Sequence, residues 1–266
     1  MGESMRTVSV LLCLCAAAGA ENTLSPAESK AGWILLFDGK TMNHWVDPRL
    51  KTPPGDAWTI EDGCLKAVAK PRYTEDLFSD QTFRDFELEF DWRISPRGNS
   101  GVKYRIQDHL WVPRGAAGQK FEPQVEHAYV NRITERPEKG QDYVVGFEYQ
   151  VIDDSGLRNP KSQGEQMAGA LYDMVPPSSS PAHAVGEFNH SRIVVRGNHV
   201  EHWMNGVKVV DTSLDSPAAL HGIEKRWSDA PHILNLLKDQ PKKDCPISLQ
   251  NHGNDAWFRD IKIRKL

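Results

Sequence analysis

The run FELEFDWRI at residues 86–94 alternates apolar and polar side chains without a break. A helix would scatter these residues around its circumference. A β-strand instead sorts Phe86, Leu88, Phe90 and Trp92 onto one face and Glu87, Glu89, Asp91 and Arg93 onto the other. Shorter runs of the same kind recur along the chain in GWILLF, WTIEDGCLKAV, SGVKYRI, GFEYQVI, SRIVVRGNHVEHWMNGVKVVD, PISLQ and AWFRDIKIRKL. Turn pairs punctuate them at Asp38-Gly39, Asp62-Gly63, Gly197-Asn198 and Asn205-Gly206. Helical periodicity does not extend beyond a few residues, and no Gly- or Ser-rich linker divides the chain. The pattern predicts one all-β domain over 21–266, a two-sheet jelly-roll sandwich. Two polar stretches, 107–145 and 154–187, read as long loops, either functional rims or surface insertions.

Composition narrows the partners. A chain of 266 residues with 39% hydrophobic and 26% charged residues can bury a sizeable core, and a net charge of −4 with both signs interspersed leaves no basic footprint for nucleic acid or an anionic membrane. At the N-terminus, Arg6 precedes the apolar run VSVLLCLCAAAGA, which is too short to span a bilayer and ends in Ala18, Gly19 and Ala20. Residues 1–20 therefore read as a signal peptide, and the mature protein as periplasmic or secreted, with no membrane insertion. A lipid anchor is the weaker reading, because Leu14 precedes Cys15 where a small residue is wanted. Cleavage would leave Cys64 and Cys245. Export permits a disulfide between them, whereas a zinc or redox centre lacks the paired spacing it needs.

Alternation also nominates a polar face. Glu89, Asp91, Lys103, Arg105, Glu148, Gln150, His202, Gln250 and His252 are assigned positions directed away from the core. Simple solvation explains such residues in most sandwiches. On adjacent strands of a concave sheet, however, they would line a groove holding acids, an amide, a guanidinium and imidazoles, the mixture that acid–base chemistry on a sugar requires. Glu148 and His252 are candidates for a base or for ligands of a divalent ion, calcium on oxygen ligands or a transition metal on His252. Of the eight tryptophans, Trp92 and Trp257 read as core and Trp111 as a loop residue facing a ligand. RGNSGVKYR lacks the spacing of a phosphate loop and leads into a strand instead of a helix.

Six segments together resemble the 3-keto-disaccharide hydrolase domain family: GWILLFDGKTMNHW, FELEFDWRISPRGNSGVKYR, FEYQVIDD, AGALYDMVPP, GEFNHSRIVVRGNHVEHWMNGVKV and PISLQNHGNDAWFRDIKIRKL. The resemblance implies a concanavalin A-like sandwich, export, and cleavage of glycosides whose glucose has already been oxidised at C3. It carries the family's polar constellation onto Arg105, Glu148, Gln150, Asp153, Tyr172, His202, Gln250 and His252. On that basis Glu148, His252, Arg105 and His202 are the catalytic candidates. Gln150, Asp153, Tyr172, Gln250, Glu89, Lys103 and Trp111 are the substrate-binding ones. The 107–145 stretch is longer than the family's usual connection, and FNHS replaces a tryptophan-rich version of its motif. A non-catalytic, lectin-like sugar-binding module is the alternative. A retaining glycosidase of the laminarinase type is disfavoured, because no Glu-x-Asp-x-x-Glu run is present.

Overall fold

A computed structural model describes residues 21–46, 55–72, 74–113, 140–157 and 164–266. The expected signal peptide lies outside them. In chain order the strands are β1 (Ile34–Leu35), β2 (Trp45–Val46), β3 (Trp58–Glu61), β4 (Cys64–Ala67), β5 (Leu77–Ser79), β6 (Phe86–Ile94) and β7 (Asn99–Pro113). They continue with β8 (Gly140–Ile152), β9 (Asn189–Arg196), β10 (His199–Met204), β11 (Val207–Ser213), β12 (Ser248–Leu249) and β13 (Ala256–Lys265). Three helices accompany them among the described residues: α1 (Pro26–Lys30), α2 (Pro217–Trp227) and α3 (Pro231–Asp239). No helix among the described residues is long and apolar enough to cross a membrane.

Among the described residues the strands form two antiparallel sheets, as the alternation predicts. The eight-stranded sheet runs β11-β10-β9-β6-β13-β4-β3, with β1 added on β13; the five-stranded sheet runs β2-β5-β12-β7-β8. The predicted face of β6 (Phe86, Leu88, Phe90, Trp92) is buried, and it meets Tyr104, Phe147 and Tyr149 of the smaller sheet in one hydrophobic core. Tight turns set the pairing. Asp62-Gly63 and Asn205-Gly206 both carry positive φ at both central residues, the backbone twist that matches a two-residue hairpin.

Three buried polar side chains of the core, those of Trp92, Tyr149 and His202, are paired. Trp92 Nε1 donates to Ser191 Oγ at 2.8 Å, and Tyr149 Oη lies 2.7 Å from the same oxygen. His202 bridges Tyr104 Oη at 2.9 Å and the Gly169 carbonyl at 2.9 Å. The last contact corrects the sequence reading. His202 shares its period-two face with Val200 and Met204, all three are fully buried, and the imidazole is a member of the core instead of the groove.

Two further expectations change, and one open question is answered. The 107–145 stretch is not a loop throughout, because β7 continues to Pro113 and β8 begins at Gly140; residues 114–139 lie outside the described set. Trp257 is only half-buried and lies on the outer side of its sheet, 4.4 Å beneath the Arg93 guanidinium. Cys64 and Cys245 are both buried free thiols.

Burial drives the His202 pKa down to about 4 against the hydrogen bonds that favour its charged form. An unfolded histidine titrates near 6.5, so between those values the unfolded chain holds the extra proton and stability falls as pH drops. We expect a contribution of about 3 kcal/mol to be lost between pH 6.5 and 4. Urea unfolding across that range should show a shallower acid slope for H202Q than for the parent; identical slopes would contradict the neutral, buried assignment.

Candidate active site

The face of the five-stranded sheet turned away from the core gathers a second set of residues. Cross-strand pairing places Lys103 (β7) opposite Glu148 (β8) on one flank and opposite Ser248 (β12) on the other. Directly paired residues project to the same side of an antiparallel sheet. Asp76, just before β5, completes the row. Lys103 Nζ lies 3.7 Å from Asp76 Oδ2 and 3.8 Å from Glu148 Oε2. The lysine side chain is 2% exposed and that of Glu148 11%, so both charges are largely withdrawn from water.

Such burial bears on the pKa of both groups. Desolvation alone would discharge Lys103, but Asp76 and Glu148 outweigh it and raise its pKa, keeping the ammonium. Glu148 is pushed up from the ordinary carboxylate value, first by desolvation; Lys103 and Arg226 pull against that, while Asp76 and Asp173 add to it. Glu148 also lies close over Gly101. A Cβ at residue 101 would sit 2.3 Å from Glu148 Oε1, so the absence of a side chain there makes the seat for the carboxylate.

His252 reaches the same neighbourhood from the turn after β12. Its side chain is open to solvent yet ringed by protein, and that enclosure, followed by the Lys103 charge, lowers its pKa. At neutral pH the imidazole is therefore an unprotonated base. The turn is pinned by Asn251, whose Nδ2 donates to Ala57 O at 2.7 Å and Val68 O at 3.2 Å, and whose Oδ1 accepts from Gly253 N at 2.7 Å.

A wall closes one side. The segment after Gly164 runs along β8: Tyr172 N donates to Glu148 O at 3.0 Å, Gln150 N to Ala170 O at 3.2 Å, and Gly169 N to Gln150 O at 2.9 Å. Arg226 of α2 lies 4.8 Å from the Tyr172 ring centroid and 5.1 Å from that of Trp227, and it is paired with Asp173. Trp227 in turn meets Tyr143 edge-on at 5.3 Å, and Tyr143 lies 5.2 Å from Lys103 Nζ. Two amides lie on the same sheet face. Turned so that its nitrogen meets acceptors, Gln150 donates to Glu148 Oε1 at 3.2 Å and Ser100 O at 3.0 Å. Gln250 is buried, and its Oε1 has no hydrogen-bond partner among the described residues.

The structure thus brings together Glu148, Lys103, His252, Tyr172, Gln150 and Gln250 of the sequence-predicted set. It separates four others. Arg105 sits at a bulge, with φ of 51° and a shift in pairing between Tyr104 and Asp108. That break in alternation turns its guanidinium to Gly197 O at 2.7 Å and Asp85 Oδ1 at 3.4 Å, not to Glu148. His202 lies in the core. Glu89 faces outward as expected but on the other sheet, 3.1 Å from Lys262 in a lattice of ion pairs. Asp153 caps the turn after β8, accepting from Arg97 N at 2.7 Å and Ser155 N at 2.9 Å. It lines a separate cleft of about 340 Å³ with Asp154 and His183. The Trp111 side chain lies outside the described set. Sequence reasoning missed Asp76, which no pattern marks, and Arg226, whose helix was legible in Ser216-Pro217 followed by Ile223 and Trp227.

The expected metal ligands Glu148 and His252 do not form a ready metal centre. An ammonium already faces the Glu148 carboxylate. Among the described residues, the group of three His, Cys, Asp or Glu ligand atoms within 4.8 Å of one another is His199, Glu201 and Asp211, on β10 and β11, where Lys208 Nζ lies 3.3 Å from Glu201 and also pairs with Asp211.

The profile of the 3-keto-alpha-glucoside-1,2-lyase-like domain matches residues 32–264. The chain belongs to this family. A 3-keto-disaccharide hydrolase of Bacteroides thetaiotaomicron is 30% identical over 254 residues, covering 88% of this chain and 79% of that protein. Two crystal structures from Parabacteroides distasonis, each carrying a glycosyl hydrolase designation, share the fold. One has TM-score 0.65 and 24% identity over 92% of this chain and 99% of its own; the other has TM-score 0.58 and 23% identity over 88% and 99%. The family match spans the strands that carry Lys103 and Glu148 and the turn that carries His252.

Replacing Gly101 by alanine tests the seat of Glu148 in this family member. We expect G101A to displace the carboxylate and to cost about 1–3 kcal/mol of stability. A variant with unchanged urea midpoint and an unchanged Glu148 titration by ¹³C NMR would refute the close approach.

Proposed function

We propose that this protein is a carbohydrate-active hydrolase that cleaves 3-keto-glycosides by elimination and rehydration, acting outside the cytoplasm. Family membership supports the coarse reading. The observation that carries the finer one is a buried ammonium, Lys103, 3.8 Å from a carboxylate whose pKa is raised and near enough to an imidazole to help lower its pKa. Environments that push two titratable groups in opposite directions separate an acid from a base.

A ketone at C3 acidifies the C2–H bond. His252, unprotonated, takes that proton, and the bonding pair becomes a C2=C3 enolate whose oxygen is stabilised by the Lys103 ammonium, with Arg226 as the second nearby cation. Collapse of the enolate breaks the C1–O bond, and Glu148 in its protonated form gives its proton to the departing oxygen. Water then adds across C1=C2, with hydroxyl to C1 and a proton to C2, leaving a free 3-keto-sugar and an alcohol. Gln150 and Gln250 supply amides for the sugar hydroxyls, and Tyr172 a ring under Arg226 on which a sugar face can rest. The route needs no carboxylate pair at the fixed separation of ordinary glycosidases.

The test is NMR in D₂O with a 3-keto-glucoside and with its unoxidised parent. We expect cleavage of the keto substrate alone, deuterium at C2, and loss of at least about 100-fold in kcat for both E148Q and H252A. The acid limb of the kcat profile should fall below the usual histidine value and disappear in H252A. The basic limb, from loss of the Glu148 proton, should lie above the usual carboxylate value. Binding of either sugar without turnover would make the protein a lectin-like module instead.

A further inference from the structure

Asp76 has 0% exposure, so it cannot touch a substrate. Its two oxygens face different parts of the site. Oδ2 lies 3.7 Å from Lys103 Nζ and accepts from Ser248 Oγ at 3.3 Å. Oδ1 accepts from Asn251 N at 3.2 Å, at the root of the turn that presents His252. We propose that Asp76 is the positioning residue of this site, holding the Lys103 ammonium midway between two carboxylates while anchoring the His252 turn with its other oxygen.

The charge on Asp76 is what separates this role from a purely structural one. Ser248 and Asn251 offer neutral donors, which a neutral amide carbonyl would satisfy equally well. Only Lys103 requires an anion, since a buried ammonium is tolerated when paired and hydrogen-bonded and is otherwise discharged. The near-equal separations of 3.7 and 3.8 Å show a cation shared by Asp76 and Glu148. Without Asp76, Lys103 would pair with Glu148 alone. That would draw the acid into an ion pair and take the cation from the place where an enolate oxygen needs it. In this way one fully buried side chain governs the electrophile and the acid through charge, and the base through the backbone.

This inference rests on the reading of Lys103, Glu148 and His252 as the reacting groups, but its test does not depend on turnover. The variant is D76N, which keeps size and hydrogen-bonding capacity while removing the charge. The first readout is the Lys103 ¹³Cε resonance, assigned by its absence from K103R and followed through an alkaline titration. We expect the Lys103 pKa to fall by about one to two units in D76N. The second readout is the kcat–pH profile on a 3-keto-glucoside. Its basic limb should move to lower pH because Glu148 loses a repelling neighbour, with KM changed less than kcat. If D76N folds poorly, the double-mutant cycle with K103M supplies the measurement: K103M should restore much of the stability lost in D76N, whereas additive losses would overturn the pairing. An unmoved Lys103 titration and an unmoved basic limb would overturn the proposal. A parent protein that titrates as expected but turns over no 3-keto-glucoside would sink the proposed reaction while leaving Asp76 as the holder of Lys103.

Discussion

A full positive charge inside a protein is the most demanding constraint in this molecule. Lys103 is withdrawn from water, and its surroundings are arranged so that the charge survives there. β5 leads in from Asp76, β8 delivers Glu148 directly opposite, and β12 carries Ser248 on the other flank. These three strands and β7, which carries the lysine, must stand in the order β5-β12-β7-β8 and in register for that arrangement to exist. The consequence is reciprocal: the sheet positions the ion pair, and the pair penalises any slip in pairing that would strand one charge in the interior.

Glycine and a bulge do complementary work around it. Gly101 leaves space for the Glu148 carboxylate to lie against the neighbouring strand. The bulge at Arg105 breaks alternation two residues beyond Lys103. Gly146 faces the bulge, where a Cβ would come within 3.0 Å of Tyr104 O. One strand thus presents a lysine to the site and, almost immediately afterwards, sends an arginine away from it, to the turn between β9 and β10. There it ties Asp85 to the Gly197 turn.

Alternation made the strands and the all-β class legible, because period two follows from backbone geometry and survives in any context. It also identified Glu148, Lys103 and Gln150 as sharing a face. It misled where its premises failed. Arg105 was read through a bulge that leaves no mark in the sequence. His202 was set apart from Val200 and Met204 although a period of two joins them. Glu89 was assigned the correct face, but a period says nothing about which sheet a strand joins. The helix holding Arg226 and Trp227 is faint in the sequence because its apolar residues are few, although the Ser216-Pro217 start and the spacing of Ala219, Ile223 and Trp227 announce it. Asp76 carries no signal at all; it acquires meaning only from what the fold places around it.

The segment that runs beside β8 has an implication for the behaviour of the chain in crowded solution. β8 closes one end of the five-stranded sheet, and an open row of backbone donors and acceptors invites pairing with another molecule. Around Glu148 and Gln150 that row is already occupied by Gly169, Ala170 and Tyr172. The strand bearing the Glu148 carboxylate is therefore sealed against recruitment by a second chain at this point. The same few hydrogen bonds that raise a wall beside the site also guard the protein, at high concentration, against edge-to-edge aggregation.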